Sequence, residues 1–266
     1  MQAAIRAEAL SYTTAFMVGN DIRNAYTAGG SPPPHYEVTL KFKQLHSWRI
    51  SSKKAVQVQT ALKELLVFRK QRGAIKTIAG ADISYDKKSE RFFAGVVVFR
   101  LNGCLELVEE CAVTGKARFP YIPGLLSFRE GPILLRAFRK LKTNPDVILF
   151  DGQGIAHPRN FGLASHIGLI LDTPSIGCAK SRLVGEHDDV ENVAGAYSKL
   201  IYKNKAVGVA LRTKVNTKPI FVSIGHKITL ASAISAVLRT CCGYRIPEPV
   251  RYAHLFVNKL RKQHLS

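Results

Sequence analysis

The stretch VILFDGQG, residues 147–154, decides the fold of this 266-residue chain. Its four apolar residues run without interruption and then meet Asp151 and two glycines. A short apolar run without alternation is typical of a strand buried on both faces, as in the parallel part of an α/β sheet. Functional sites of such sheets form at the carboxyl ends of the parallel strands. Asp151 therefore stands where an α/β protein builds its site.

The segments before this strand predict an antiparallel meander. Residues 77–85, 92–101 and 105–113 have strand patterns, and Asn102-Gly103 between the last two is typical of a hairpin turn. Ahead of them, apolar residues recur at helical spacing over residues 52–69, which predicts an amphipathic helix.

The segments after the buried strand predict alternating helices and strands. We expect helices over 126–141, 160–171, 229–242 and 250–262, and strands over 175–179, 206–212 and 220–223. Strands first, then strands alternating with helices, indicate an α/β protein with a mixed β-sheet flanked by helices on both faces.

The first part of the chain differs from the rest. Residues 29–34, GGSPPP, form a cluster of helix and strand breakers. We therefore predict an N-terminal extension over residues 1–45 that is poorly ordered, followed by one catalytic domain over residues 46–266.

The charge of the chain points to an anionic partner. There are 39 Lys and Arg residues against 19 Asp and Glu, which gives a net charge of +20. Such an excess repels itself in the compact state, and binding nucleic acid relieves that repulsion. A basic surface that serves only solubility is the alternative. The 46% apolar content excludes a disordered basic tail.

The cysteines and the hydropathy pattern bear on location. Five cysteines, an odd number without a CxxC pair, argue against a disulfide framework or a structural zinc site. They are interpreted as thiols in a reducing compartment. No run of 18 apolar residues occurs, so no membrane span is expected. We predict a cytoplasmic protein without a membrane partner, and a monomer.

Three acids need explaining in so basic a chain. Asp82 interrupts an apolar strand, Asp151 follows another, and Glu130 lies one turn into the predicted helix after a proline-rich loop. Carboxylates from two strands and one helix can converge, and a hard divalent cation such as Mg²⁺ removes their repulsion. Taken singly, each acid has an equally good structural role. The two aspartates could cap a turn and a helix, and Glu130 could pair with a neighbouring arginine.

Five segments, taken in order, resemble the endonuclease V family. They are residues 80–85 (GADISY), 118–130 (RFPYIPGLLSFRE), 151–159 (DGQGIAHPR), 177–181 (GCAKS) and 247–254 (PEPVRYAH). With the stretches around them they span about residues 51–261, and the second and third segments are long and specific.

The resemblance implies a ribonuclease H-like fold and a Mg²⁺-dependent DNA repair endonuclease, with Mn²⁺ as a possible substitute. The family recognises deoxyinosine, which carries the hypoxanthine formed from deaminated adenine. It cuts the second phosphodiester 3′ of the lesion and leaves 3′-hydroxyl and 5′-phosphate ends. By match of motif, Asp82, Glu130 and Asp151 are the metal-binding carboxylates. His254 matches an active-site histidine, and Lys180 matches a lysine near the scissile phosphate.

A lesion inside a duplex has to leave the base stack before it is inspected. Tyr121, between two prolines that restrict the backbone, is the candidate wedge that holds the gap open. The resemblance gives the loop the same role and places four residues near the extruded base, namely Gly124, Leu126, Gly152 and Leu183. His157 either packs this region or supports the metal site. We expect Arg118, Arg159 and Lys214 to contact the phosphate backbone.

The expected substrate is DNA containing deoxyinosine, and RNA containing inosine is a second possibility. Two other functions stay open on the sequence alone. One is a non-catalytic nucleic-acid binder that keeps the fold, although three retained carboxylates facing a polyanion speak against it. The other is a structure-selective ribonuclease H-like nuclease without inosine specificity, against which the Pro-Tyr-Ile-Pro segment speaks.

Overall fold

The computed structural model describes residues 40–69 and 73–265, and they form a mixed sheet of eight strands. The strands are β1 Thr77–Asp86, β2 Arg91–Leu101, β3 Leu105–Lys116, β4 Val147–Phe150, β5 Ser175–Ala179, β6 Tyr197–Tyr202, β7 Lys205–Leu211 and β8 Ile220–His226. Their order across the sheet is β3-β2-β1-β4-β5-β8-β7-β6. The three central strands β1, β4 and β5 run parallel, and the outer pairs are antiparallel.

Helices cover both faces of the sheet, as predicted. They are α1 Ser52–Leu62, a short 3₁₀ helix Lys63–Leu65, α2 Leu126–Phe138, α3 Leu163–Leu171, α4 Leu230–Leu238 and α5 Glu248–Leu265. Within residues 40–69 and 73–265, no helix combines the length and the apolar character needed to cross a membrane.

Strand β4 is buried on both faces, and this explains its unbroken apolar sequence. Ile148 and Phe150 belong to the core that contains α2 and α3. Val147 and Leu149 belong to the core on the other face, which contains α4 and α5. All four side chains are fully buried. Because successive strand residues point to opposite faces, a strand between two helical layers has no position left for a polar residue.

The bounds of several predicted elements needed correction, and one strand was missed. The first helix ends near Leu65 rather than Arg69 because the chain turns extended, and Val67 exchanges hydrogen bonds with His226 and Lys227 at the end of β8. The helix predicted from Asn160 begins at Leu163, since Asn160 has a φ of 54°. Strand β6 was missed entirely, because its pairing with β7 leaves only one of its residues buried. The predicted Asn102-Gly103 hairpin is confirmed.

The predicted N-terminal extension lies for the most part outside the described residues. Of residues 1–45, only 40–45 are described. Leu40 is buried, and Phe42 and Leu45 pack against the core. The Lys43 amide donates to the Ile170 carbonyl at 2.8 Å. Packing therefore begins no later than residue 40, and the division at residue 45 stays a prediction.

The close approach of α5 to β1 positions the end of the sheet where the acids lie. Gly80 on β1 lies against Pro249 in the first turn of α5, and a Cβ on Gly80 would come within 1.9 Å of the Pro249 carbonyl oxygen. Only glycine allows this approach, so the contact holds α5 directly over the strand that carries Asp82.

We expect Gly80→Ala to lower the free energy of unfolding by about 1–3 kcal/mol, because backbone atoms of α5 have to move away from the new methyl group. Thermal or denaturant unfolding followed by circular dichroism measures this loss. Gly152→Ala is the matched control, since its Cβ would meet Leu163 at an ordinary 3.6 Å. Equal stability of the two variants would contradict the prediction.

Candidate active site

Two of the predicted carboxylates lie side by side where the parallel pairing of β1 with β4 ends. Ala81 on β1 is the register partner of Phe150 on β4, so Asp82 and Asp151 follow that pair on neighbouring strands. The Asp151 amide donates to the Ala81 carbonyl at 3.2 Å. Both aspartate side chains are largely buried, at 10% and 17% exposure. The parallel register therefore brings the two acids together.

His254 completes a compact group of potential metal ligands. One ligand atom from each of Asp82, Asp151 and His254 lies within 4.8 Å of the other two. This is the distance expected of groups that share one cation, and carboxylate oxygens are the ligands that Mg²⁺ prefers.

Glu130, the third predicted carboxylate, stands just outside that group. Burial raises its pKa to about 8, and the negative charge of Asp82 raises it further than that of Asp151 does. Burial likewise raises the pKa of Asp82 to about 6, followed by the charge of Asp151. The three acids thus sense one another electrostatically. The neighbouring Arg129 bonds the Phe119 carbonyl at 2.9 Å.

Asp82 is held by hydrogen bonds from α5. His254 Nδ1 lies 2.8 Å from Asp82 Oδ2. The Asn258 amide nitrogen contacts the His254 carbonyl at 2.8 Å and His254 Nε2 at 3.2 Å, while its oxygen accepts from the Ser84 hydroxyl at 2.9 Å. Two hydrogen-bonded pairs therefore join β1 to α5, Asp82 with His254 and Ser84 with Asn258. They form because residues two apart on the strand lie opposite residues four apart on the helix.

The sequence analysis missed Ser84 and Asn258. Their signal was the spacing, since Ser84 follows Asp82 by two strand positions and Asn258 follows His254 by one helical turn. That signal becomes readable only once α5 is known to pack on β1.

Lys180, directly after β5, reaches the same site from the third parallel strand. Its ammonium lies 2.6 Å from Asp151 Oδ2, and its side chain is 41% exposed. The lysine thus stands at the rim of the acidic group, with one face open to solvent.

A cavity of about 470 Å³ opens beside Asp151 and Lys180. It is lined by the four residues expected near the extruded base, namely Gly124, Leu126, Gly152 and Leu183, and also by Tyr121 and His157. Tyr121 is 68% exposed and therefore does not pack in the domain core. The structure therefore brings the predicted base-binding residues together.

Three donors converge on one carbonyl of the loop that forms one wall of this cavity. The Gly124 oxygen accepts from Arg159 Nη2 at 2.6 Å, Gln59 Nε2 at 3.0 Å and His157 Nε2 at 3.1 Å. Gly124 has a φ of +77°, and a Cβ there would lie 2.5 Å from Arg159 Nη2. Only glycine fits here, because the backbone has a positive φ and because a Cβ would collide with the Arg159 guanidinium.

These contacts decide two roles that the sequence left open or misplaced. Burial, followed by the charge of Arg159, lowers the pKa of His157 to about 4, and its Nδ1 accepts from the Arg159 amide. His157 therefore packs the loop. The Arg159 side chain, expected on the phosphate backbone, is instead committed to Gly124 and to Gln59. Gln59 was missed, although an amide between Ala55 and Leu62 on the buried face of α1 was a visible signal.

The raised pKa values predict how the stability of the metal-free protein depends on pH. The folded Glu130 and Asp82 keep their protons to about pH 8 and 6, whereas the unfolded chain releases them near pH 4. A carboxyl pKa that is higher in the folded state means that stability is lost as pH rises through this window. We expect the free energy of unfolding to fall by a few kcal/mol between pH 5 and pH 8.

Glu130→Gln should flatten this dependence and stabilise the metal-free protein at pH 8. Denaturant unfolding in EDTA at pH 5 and pH 8 measures it. Glu106→Gln is the control, because Glu106 lies far along the sheet from the acids. It lies beside the Asn102–Cys104 turn, which is at one end of β2. Arg91, the register partner of Asp86, is at the other end of β2. A wild type whose stability is the same at both pH values would contradict the prediction.

Comparison with known proteins places these features in one family. The family model described as Endonuclease V matches residues 58–255. The Endonuclease V of Dehalococcoides mccartyi is 46% identical over 223 residues, which cover 84% of this chain and all of the relative. The crystal structure of the Bacillus subtilis protein has 33% identity and a TM-score of 0.81, and covers 85% of this chain and 98% of that one.

A further neighbour was solved with nucleic acid. Ciona intestinalis Endonuclease V, in complex with a 24mer DNA containing an inosine followed by a ribo-adenosine, has 30% identity and a TM-score of 0.69. The match covers 79% of this chain and 98% of that one. The predicted ribonuclease H-like fold is confirmed by these neighbours, which share it.

Proposed function

We propose that this chain, which belongs to the endonuclease V family of metal-dependent DNA repair endonucleases, uses Mg²⁺ to cut DNA at deoxyinosine. The cut falls at the second phosphodiester 3′ of the lesion and leaves 3′-hydroxyl and 5′-phosphate ends. One observation carries the proposal. The cluster of Asp82, Asp151 and His254 adjoins a cavity that holds every residue expected around the base.

The acids fit a hard divalent cation. Asp82, Asp151 and Glu130 repel one another in a largely buried site, as the raised pKa values of Asp82 and Glu130 indicate. Asp82 and Asp151, with Glu130 beside them, would hold Mg²⁺ or Mn²⁺, which would relieve this repulsion and would supply Lewis-acid activation of a phosphoryl oxygen and of water. His254 orients Asp82 through their 2.8 Å hydrogen bond.

Lys180 is the candidate phosphate contact. Its ammonium pairs with Asp151 at the exposed rim of the site, between the acids and the cavity. A compact cation in that place binds the scissile phosphate and offsets the charge that develops during cleavage.

The cavity is proposed to hold the extruded hypoxanthine. Tyr121, exposed and set between prolines, fills the gap left in the stack. Gly124 and Gly152 let the backbone approach the base, and Leu126 and Leu183 supply apolar walls. Hypoxanthine carries a proton at N1 and an acceptor at position 6, the reverse of adenine, so mismatched polar groups reject adenine. Lack of room for the 2-amino group rejects guanine.

The proposal extends to RNA, partners and location. Inosine in RNA is a second substrate of the same cavity, since the base is the same. The enzyme works as a monomer, because one chain supplies every residue of the site. Its five free cysteines suit the reducing cytoplasm.

The decisive experiment compares two duplexes that differ by one deoxyinosine, each with Mg²⁺ or with EDTA. Only the deoxyinosine duplex with Mg²⁺ should be nicked, at the second phosphodiester 3′ of the lesion. Asp151→Asn should lower the cleavage rate by at least about 10³-fold while binding persists or tightens, because one negative charge facing the phosphates is gone. Glu106→Gln, remote from the site, should cut like the wild type.

Three outcomes would refute this function in distinct ways. Binding without any nicking by the wild type indicates a non-catalytic binder. Equal nicking of both duplexes removes the inosine specificity and leaves a structure-selective nuclease. Nicking in EDTA removes the metal.

Tyr121→Ala should reduce kcat/KM on the deoxyinosine duplex by about 10- to 100-fold, because stacking of an aromatic ring on a base contributes about 1–3 kcal/mol. The exposed ring predicts an unchanged melting temperature. Tyr121→Phe keeps the ring and should retain most of the activity. If removal of the ring left single-turnover cleavage unchanged, the wedge role would be wrong.

A further inference from the structure

A chain of hydrogen bonds runs from the surface to the wall of the cavity. Ser127 in the first turn of α2 lines the cavity, and its hydroxyl lies 2.9 Å from Nδ1 of the fully buried His166 on α3. His166 Nε2 lies 2.7 Å from Nε2 of His46, and His46 Nδ1 lies 2.8 Å from the Ser47 carbonyl oxygen. None of these residues is used by the proposed mechanism.

The terminal carbonyl determines the direction of every bond in the chain. A carbonyl oxygen only accepts, so His46 Nδ1 carries a proton. Burial lowers the pKa of His46, so the ring is neutral and its Nε2 is an acceptor. His166 Nε2 must then donate, which leaves His166 Nδ1 as an acceptor, since burial also holds this ring neutral. The Ser127 hydroxyl therefore donates its hydrogen bond to His166 Nδ1.

Aromatic packing prevents the rings from changing partners. The Trp48 ring lies 5.2 Å from the His166 ring at an angle of 30°, and Phe128 and Phe161 contact it from other sides at 5.0 and 5.1 Å. Trp48 is itself wedged against α2, since a Cβ at Gly131 would lie 2.8 Å from it. The packing thus fixes which atoms of His46, His166 and Ser127 face one another.

We propose that Ser127 is a specificity-determining residue whose hydroxyl donates its one hydrogen bond to His166, so that its oxygen only accepts hydrogen bonds from the base in the cavity. This rests on the proposed function. An acceptor-only group bonds the N1 proton of hypoxanthine and opposes the bare N1 lone pair of adenine. Guanine also carries a proton at N1, so Ser127 separates hypoxanthine from adenine only. His46, which lies beyond His166, is a positioning residue.

The experiment measures single-turnover cleavage at deoxyinosine, deoxyadenosine and deoxyguanosine in otherwise identical duplexes. Ser127→Ala should lower the ratio of deoxyinosine to deoxyadenosine cleavage by about tenfold, because the selective acceptor is gone. The same variant should change the ratio of deoxyinosine to deoxyguanosine cleavage little, because both of these purines carry the N1 proton and both lose its acceptor. Ser165→Ala is the matched control, since Ser165 is a fully buried serine beside His166 whose hydroxyl has no partner among the described residues.

A second variant tests the chain without altering the cavity wall. His46→Phe keeps a ring but removes the acceptor for His166 Nε2. His166 is then free to carry its proton on Nδ1 and to donate to Ser127, whose own proton becomes available to the cavity. Selectivity against adenine should therefore fall, although residue 46 does not line the cavity.

Nitrogen-15 NMR of the histidine rings reads the chain directly. In the wild type, His166 should carry its proton on Nε2 and His46 on Nδ1, and in His46→Phe the His166 proton should shift toward Nδ1. The opposite wild-type tautomers would overturn the proposal, as would Ser127→Ala with unchanged selectivity against adenine. A wild type that does not cut at deoxyinosine would refute the proposed function instead, and the NMR result would still decide the direction of the chain.

Discussion

The repulsion among the acids at the carboxyl end of the sheet is the constraint on which the rest of the site depends. Asp82 and Asp151 are held side by side by the register of two parallel strands, and neither backbone can withdraw without breaking the sheet. Burial and mutual charge keep part of this group protonated, as the raised pKa values of Asp82 and Glu130 show. A divalent cation removes the conflict, so the metal-free fold stores the electrostatic energy that metal binding releases.

The charge of the whole chain and the charge of the site have opposite signs, and this separation has a physical use. A net charge of +20 attracts a polyanion to the entire surface. The few acids at the centre would repel that polyanion unless a cation covers them. We therefore expect nucleic-acid binding near the centre to depend on the presence of the metal.

The neighbouring cavity depends on a different feature. Polar groups around it already form hydrogen bonds within the protein. Three donors converge on the Gly124 carbonyl, and they hold the loop that carries Tyr121. The chain from Ser47 to Ser127 similarly assigns each proton before any ligand arrives. Groups whose donors and acceptors are already committed cannot adapt to the wrong base, and rigid hydrogen bonding of this kind discriminates between purines of nearly equal size.

The amino-acid sequence by itself determined the mixed sheet, the buried central strand, the meander and the position of Asp151 at the end of a strand, because strand and helix periodicities and turn residues are local signals. The family motifs added Lys180, His254 and the base-binding residues. Only the tertiary structure decided the contacts between distant residues. His46 meets His166 across 120 positions, and Gln59 meets Gly124 across 65. Such partners leave no periodic trace in the chain, since they are set by how α1, α2 and α3 pack together, and a one-turn shift of any helix would pair different atoms.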